Sequence, residues 1–238
     1  MRKAQSFEYK HDGLVCEGHA TWDDAGGKRP GILVFPEWVG VGEYTHRRAE
    51  MLCELGYNSV VVDVYGKGIR PNTPETCGAE MMKYATNRPL LQARAREGLN
   101  ELKKVPNTDL SKVAAIGYCF GGMAVLEMAR DGQDLKGVVS FHGVLATPKP
   151  LTAGKYNGKI LVLHGVDDPV VPDDQVMGFW KEMRDAKANW EFVAYGNALH
   201  TFTNWLMPEE GPPPAVYNKQ ADKRSWIAMQ DFLKEIFD

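Results

Sequence analysis

Gly117-Tyr118-Cys119-Phe120-Gly121-Gly122 is the stretch on which the fold turns. Lys112-Val113-Ala114-Ala115-Ile116, just before it, is a short apolar run flanked by turn formers and predicts a buried strand. Met123 to Arg130, just after it, is rich in strong helix formers and stops before Gly132, a natural helix end. G-x-C-x-G at a strand-to-helix corner has the form of a nucleophile elbow with sulfur in place of oxygen. Gly117 and Gly121 lack a β-carbon, which lets strand and helix close on each other while the residue between them is strained. Cys119 is then expected at a helix N-terminus, where backbone N–H groups and the helix dipole favour a thiolate.

Outward from that corner, apolar strand-like runs alternate with helical periodicity. Gly31–Phe35, Asn58–Val64, Gly137–Phe141, Ile160–Leu163 and Trp190–Tyr195 predict strands. Between and after them, helices are expected around Ala49–Cys53, over Pro89–Lys104, over Asp173–Lys187, and at the end, where Trp226, Met229, Leu233 and Phe237 recur at helical spacing. Two extended pieces split by Asp12-Gly13 predict an N-terminal hairpin. Residues 65–88 are expected to be irregular, with a short helical piece near Ala79–Met82, and a connection of that length suits a lid or pocket wall. The Pro-rich run Met207–Pro214 predicts a stiff surface loop. Strands alternating with helices imply an α/β fold, a mostly parallel sheet with helices on both faces and the hairpin as an antiparallel edge. One domain over 1–238 is expected.

Composition narrows the function. The 238 residues are 44% apolar and 25% charged with a net charge of −3, and the charges are interspersed, so neither nucleic acid nor a membrane surface is an expected partner. Met1–Phe7 lacks the apolar core of a signal peptide, and no run has the roughly 18 apolar residues of a membrane span. Cys16, Cys53, Cys77 and Cys119 are scattered without metal-ligand spacing, which points to the cytoplasm and to no metal or cofactor.

A thiol nucleophile needs a base, and the base needs an acid, in the chain order nucleophile, acid, base. The acid is sought in His164–Pro172, directly after a strand, where Asp167 and Asp168 both qualify. The base is sought after the last strand, where Gly196-Asn197-Ala198-Leu199-His200 delivers a histidine. Of the other five, His11, His19 and His46 suit surface or cap positions, and His142 and His164 suit packing or supporting positions at strand ends. Two backbone N–H groups are needed for an oxyanion, one from Phe120 and one from the loop after Gly31–Phe35, which makes Trp38 the candidate. Glu37, in that loop, could favour a helix N-terminus or hold the thiol proton. Trp38, Tyr118, Phe120, Trp205, Leu206 and Met207 suggest a pocket for apolar or aromatic groups.

Together these segments resemble the dienelactone hydrolase family of the α/β-hydrolase fold. The resemblance rests on Pro36–Val41, Asp63-Val64-Tyr65, Gly117–Gly122, Gly165-x-x-Asp168-x-x-Val171-Pro172 and Gly196-x-x-x-His200-x-Phe202. It implies a Cys119–His200–Asp168 triad, with Asp168 three residues before Val171-Pro172, and gives Glu37 the place of the carboxylate that contacts the resting cysteine. It also implies hydrolysis of activated esters or lactones through a thioester. The family's dienelactone-cleaving members grip the substrate carboxylate with two arginines, and Lys67 and Asn204 stand in those places here. Lys67, Tyr118, Asn204 and Trp205 are the expected substrate contacts, and Arg70 is a possible replacement grip. The expected partner is a small ester or lactone, taken by a monomer. The same triad could act on activated phosphotriesters. The alternative of another class is a non-catalytic thiol sensor or binding protein.

Overall fold

The computed structural model describes residues 1–211 and 214–238, so Pro212 and Pro213 of the expected stiff loop lie outside the described residues. The chain divides into two compact units, Met1–Ile116 and Gly117–Asp238.

In the first unit, β1 (Arg2–His11) and β2 (Leu14–Asp23) form the antiparallel hairpin, with His11 opposite Leu14. The turn between them places Asp12 and Gly13 at φ of 48° and 77°. Two left-handed residues in a row match the twist of the flanking strands, and Asp-Gly tolerates that conformation. β3 (Arg29–Phe35) runs parallel to β4 (Asn58–Val61), which pairs antiparallel with β2, and β5 (Thr108–Tyr118) completes the order β1-β2-β4-β3-β5. Ile32 to Phe35 are fully buried, as a continuous apolar run in an inner strand requires.

β4 stops three residues before the predicted end. The Asp63 carboxylate accepts N–H groups from Glu17 at 2.8 Å, Tyr65 at 3.2 Å and Gly66 at 3.0 Å, so the chain turns around this side chain instead of extending. α1 (Glu43–Glu54) contains the helix expected around Ala49–Cys53, and α3 (Arg88–Leu102) covers most of the one expected over Pro89–Lys104. In the stretch expected to be irregular, the short helical piece expected near Ala79–Met82 is part of a longer, twelve-residue helix, α2 (Pro74–Ala85). Thr73 and Thr76 exchange side-chain-to-backbone hydrogen bonds at 3.1 and 3.3 Å, and Pro74 opens the helix with its φ already set. A reciprocal threonine cap is easily passed over, because the usual signal has Glu or Gln in the second place.

The second unit starts at the end of β5. α4 (Phe120–Asp131) follows, then β6 (Gly137–Phe141), β7 (Lys159–Gly165), α5 (Asp173–Ala186), β8 (Asn189–Tyr195) and α6 (Lys219–Phe237). β6, β7 and β8 lie side by side and parallel, in register from Gly137 to Lys159 to Asn189. α4 is buried from Phe120 to Arg130. The charges that this encloses are paired: the Arg130 guanidinium donates to Glu182 at 2.8 Å twice, to Glu127 at 2.9 Å and to the Leu145 carbonyl at 2.8 Å. A bidentate grip with all three guanidinium nitrogens engaged makes such burial tolerable and fixes α4 against α5.

Candidate active site

Cys119 sits where β5 passes into α4, at φ 54° and ψ −114°. A non-glycine residue rarely holds that conformation, and it persists only where the surroundings fix it. Gly117 is one such constraint: a β-carbon there would lie 2.0 Å from the Gly121 carbonyl oxygen. Gly121 thus contributes the backbone that Gly117 must clear, and the second close approach belongs to Gly122, whose β-carbon would lie 2.7 Å from the Gly143 Cα. The Cys119 N–H donates to the Phe141 carbonyl at 3.0 Å and to Nδ1 of His142 at 3.1 Å. Phe120 is the first residue of α4, and N–H groups in a first helical turn have no carbonyl one turn earlier to bond.

The loops after β7 and β8 deliver the acid and the base. His200 Nε2 lies 3.1 Å from Cys119 Sγ, and His200 Nδ1 lies 2.7 Å from Asp168 Oδ2. All three residues are buried. The loop itself selects between the two aspartates. Asp168 Oδ1 accepts the Val170 N–H at 2.8 Å, which steers Oδ2 to the imidazole, whereas Asp167 is exposed and donates its N–H to the Ala198 carbonyl. The histidine loop is held through its backbone: the His200 carbonyl accepts from Val216 N–H at 3.3 Å, and the Phe202 carbonyl from Asn218 N–H at 3.0 Å. Thr201, at φ 57°, is a β-branched residue in the left-handed region, a second strained position beside the site.

Burial alone disfavours a charged imidazole at His200, but the Cys119 sulfur and then the Asp168 carboxylate outweigh it and push the ring up to about 10. Folded His200 therefore holds its proton more tightly than an unfolded histidine, whose ordinary value is about 6.5. Its contribution to stability is full below about 6.5 and is lost as pH rises towards about 10. The gap in urea midpoint between the wild type and His200→Gln is accordingly expected to shrink steadily across that window. A gap that widens over the same interval would contradict the ion-pair geometry.

The other expected residues have mixed placements. Tyr118 is fully buried and stacks on Phe141 with ring centroids 4.7 Å apart, so it belongs to the core and not to a substrate pocket. Inner-strand side chains immediately before an elbow face packed neighbours, which explains that correction. Asn204 is buried, and its Oδ1 accepts the Leu206 N–H at 2.9 Å, shaping the loop; Trp205 beside it is half-buried. In the first unit, Glu37 is buried in the loop after β3, and Trp38 is half-buried with its carbonyl accepting from Tyr65 Oη at 3.0 Å. Lys67 pairs with Glu8, and Arg70 donates to the carbonyls of Gly66 at 3.1 Å and Ile69 at 2.8 Å. His19 and His46 stack on each other at 4.2 Å, and His164 packs near Phe192. Sequence reasoning passed over Thr203, whose Oγ1 lies 2.7 Å from His142 Nε2. A hydroxyl three residues after the base was its only signal.

Among the described residues no group of three or more His, Cys, Asp or Glu is arranged to hold a metal ion, and no helix is long and apolar enough to cross a membrane. A strand–cysteine–helix elbow at the end of β5, an aspartate loop after β7 and a histidine loop after β8 define an α/β hydrolase. Solved structures agree. The chain is similar to m3DLH (TM-score 0.95, 35% identity, covering 100% of this chain and 99% of that one). It is also similar to P91, a dienelactone hydrolase-like promiscuous phosphotriesterase from metagenomic libraries (TM-score 0.92, 36% identity, covering 100% of this chain and 99% of that one). An uncharacterized protein of Caenorhabditis elegans is 39% identical over 150 residues, which are 62% of this chain and 94% of its own. The profile of the dienelactone hydrolase family matches residues 17–237, and the chain belongs to that family.

Proposed function

We propose that the chain hydrolyses activated carboxylic esters or lactones through a Cys119–His200–Asp168 triad and a thioester intermediate. The observation that carries this reading is the single imidazole lying 3.1 Å from a sulfur and 2.7 Å from a carboxylate. Asp168 holds Nδ1–H, which leaves Nε2 to exchange a proton with the sulfur or the leaving group. The Cys119 thiolate attacks the carbonyl carbon, and the carbonyl π electrons move to oxygen. Collapse of that tetrahedral species breaks the C–O bond, and the departing alkoxide takes the proton from His200 Nε2. Water then gives a proton to His200 and attacks the thioester, and the thiolate leaves. The Phe120 N–H is the proposed first oxyanion donor. By resemblance, read from sequence order, the Trp38 N–H is the second donor and Glu37 the carboxylate that guards the resting cysteine. A thiolate is itself a good leaving group, so substrates with stable leaving groups, such as phenolic esters or enol lactones, are favoured.

A neutral substrate suits the chain better than an anionic dienelactone. Lys67 is engaged with Glu8, Arg70 with two carbonyl groups, and Asn204 Oδ1 with a backbone N–H. Charge-assisted hydrogen bonds contribute about 1.5–3 kcal/mol each, so lacking them costs roughly 10- to 150-fold in relative affinity. Steady-state rates on a neutral aryl ester, a dienelactone and an aryl phosphotriester test the proposal. The aryl ester is expected to exceed the dienelactone in kcat/KM by roughly tenfold or more. A dienelactone preferred over the aryl ester would overturn the substrate assignment. The 36% identity to a protein titled a promiscuous phosphotriesterase favours a second reading in which the phosphotriester is also turned over by the same thiolate. The cytoplasm is the proposed setting, in keeping with four cysteines that are all free.

A further inference from the structure

His142 occupies the first position after β6, at the carboxyl end of an inner strand. Its φ is 40°, its N–H donates to the Leu163 carbonyl at 2.8 Å, and its side chain is fully buried. The ring touches both halves of the catalytic pair. Nδ1 accepts the N–H of Cys119 at 3.1 Å, Nε2 lies 2.7 Å from Thr203 Oγ1 on the histidine loop, and the ring meets His200 edge-on at 5.4 Å and Phe202 at 5.2 Å.

We propose that His142 is a positioning residue that ties the strained nucleophile elbow to the loop carrying the base. The proposal rests on the triad reading above. An imidazole nitrogen that accepts an N–H bears no proton, so the proton of His142 is on Nε2 and is donated to Thr203. The tautomer is thus fixed from two sides. A second proton on Nδ1 would aim one N–H at another. Cys119 is held in a conformation that backbone sterics oppose, and the second acceptor that His142 adds to the Phe141 carbonyl for its N–H is part of what keeps the sulfur within reach of His200 Nε2. Small displacements of a nucleophile carry large kinetic costs, on the order of 100-fold for 1 Å.

Three substitutions dissect the two nitrogens. His142→Phe keeps the ring and removes both. His142→Asn sets Oδ1 where Nδ1 stands and keeps an acceptor for Cys119. His142→Gln reaches towards Thr203 but leaves the Cys119 N–H only the Phe141 carbonyl as acceptor. Each is read by kcat and KM on an aryl ester, by the rate at which iodoacetamide alkylates Cys119, and by thermal unfolding. His142→Phe is expected to leave KM within about threefold of wild type while kcat and the alkylation rate fall about 30- to 100-fold. His142→Asn is expected to recover roughly tenfold of that loss and His142→Gln little of it. Wild-type kcat and alkylation in His142→Phe would overturn the proposal, because a packing role survives that change. Where His142→Phe does not fold, the other pair decides: Gln equal to or better than Asn overturns the proposal. Alkylation needs no hydrolysis, so it reads the elbow even if the triad reading fails, whereas hydrolysis unchanged in Cys119→Ala sinks that reading alone.

Discussion

Cys119→Ala is expected to lower kcat on activated aryl esters by about 10⁴-fold or more, with His200→Ala close behind. Members of a nucleophile–base pair act as a unit, and removing either one from a triad costs on the order of 10⁶ in kcat where this has been tested. The two losses are not expected to add: the double variant should resemble the singles, because a base without its nucleophile has nothing to activate. Residual hydrolysis from binding and oxyanion donors alone sets the floor. Steady-state assays with active-site titration separate true turnover from contaminating esterase. Hydrolysis unchanged in Cys119→Ala with every ester tried would instead favour a thiol sensor or binding protein on a hydrolase scaffold.

Gly117→Ala is expected to have the largest effect on stability. Its new β-carbon would meet the Gly121 carbonyl oxygen at 2.0 Å, the Gly121 carbonyl carbon at 2.2 Å and the Gly122 nitrogen at 2.8 Å. These are backbone atoms at the first turn of a buried helix and cannot rotate aside, so strand and helix must part. A loss of roughly 3–5 kcal/mol is expected, above the ~1–3 kcal/mol typical of overpacking because backbone atoms leave no route to relax. Gly178→Ala is the matched control. It lies inside α5, and a β-carbon there meets nothing within 4 Å. A helix-interior Gly-to-Ala change in open space stabilises by about 1 kcal/mol. Urea unfolding of the two variants should therefore move in opposite directions. Equal midpoints would show that the elbow has more room than its glycine implies.

The chain makes some of this legible and hides the rest for physical reasons. The elbow could be read because its chemistry is local: apolar strand, small residues around a thiol, helix formers and a glycine stop within twenty or so residues of one another. The Asp12-Gly13 turn and the buried runs of β3 and β6 are local in the same sense. The shortened β4 is not local, since the Asp63 side chain that curls the backbone also draws on the N–H of Glu17, 46 residues away. α2 is legible only as a short piece near Ala79–Met82, because its start is set by a reciprocal threonine cap rather than by apolar periodicity. At the site, chain order brought His200 forward from six histidines, but order could not choose between Asp167 and Asp168. The resemblance favours Asp168 by its spacing to Val171-Pro172, and the physical reason is the Val170 N–H that orients its carboxylate. His142 was legible as a supporting residue and no further, because its partners lie 23 residues away at the elbow and 61 residues away on the histidine loop. Tyr118 misled because an aromatic beside a nucleophile has the same one-dimensional appearance whether it lines a pocket or stacks in the core.

The most direct measurement of the central claim is peptide mass mapping of protein quenched in acid during turnover of an aryl ester. The expected result is one acyl group added to the peptide that contains Cys119, labile to hydroxylamine as a thioester is, and absent from Cys119→Ala. Rapid turnover with Cys119 unmodified at every quench time, or an acyl group on another residue, would contradict it.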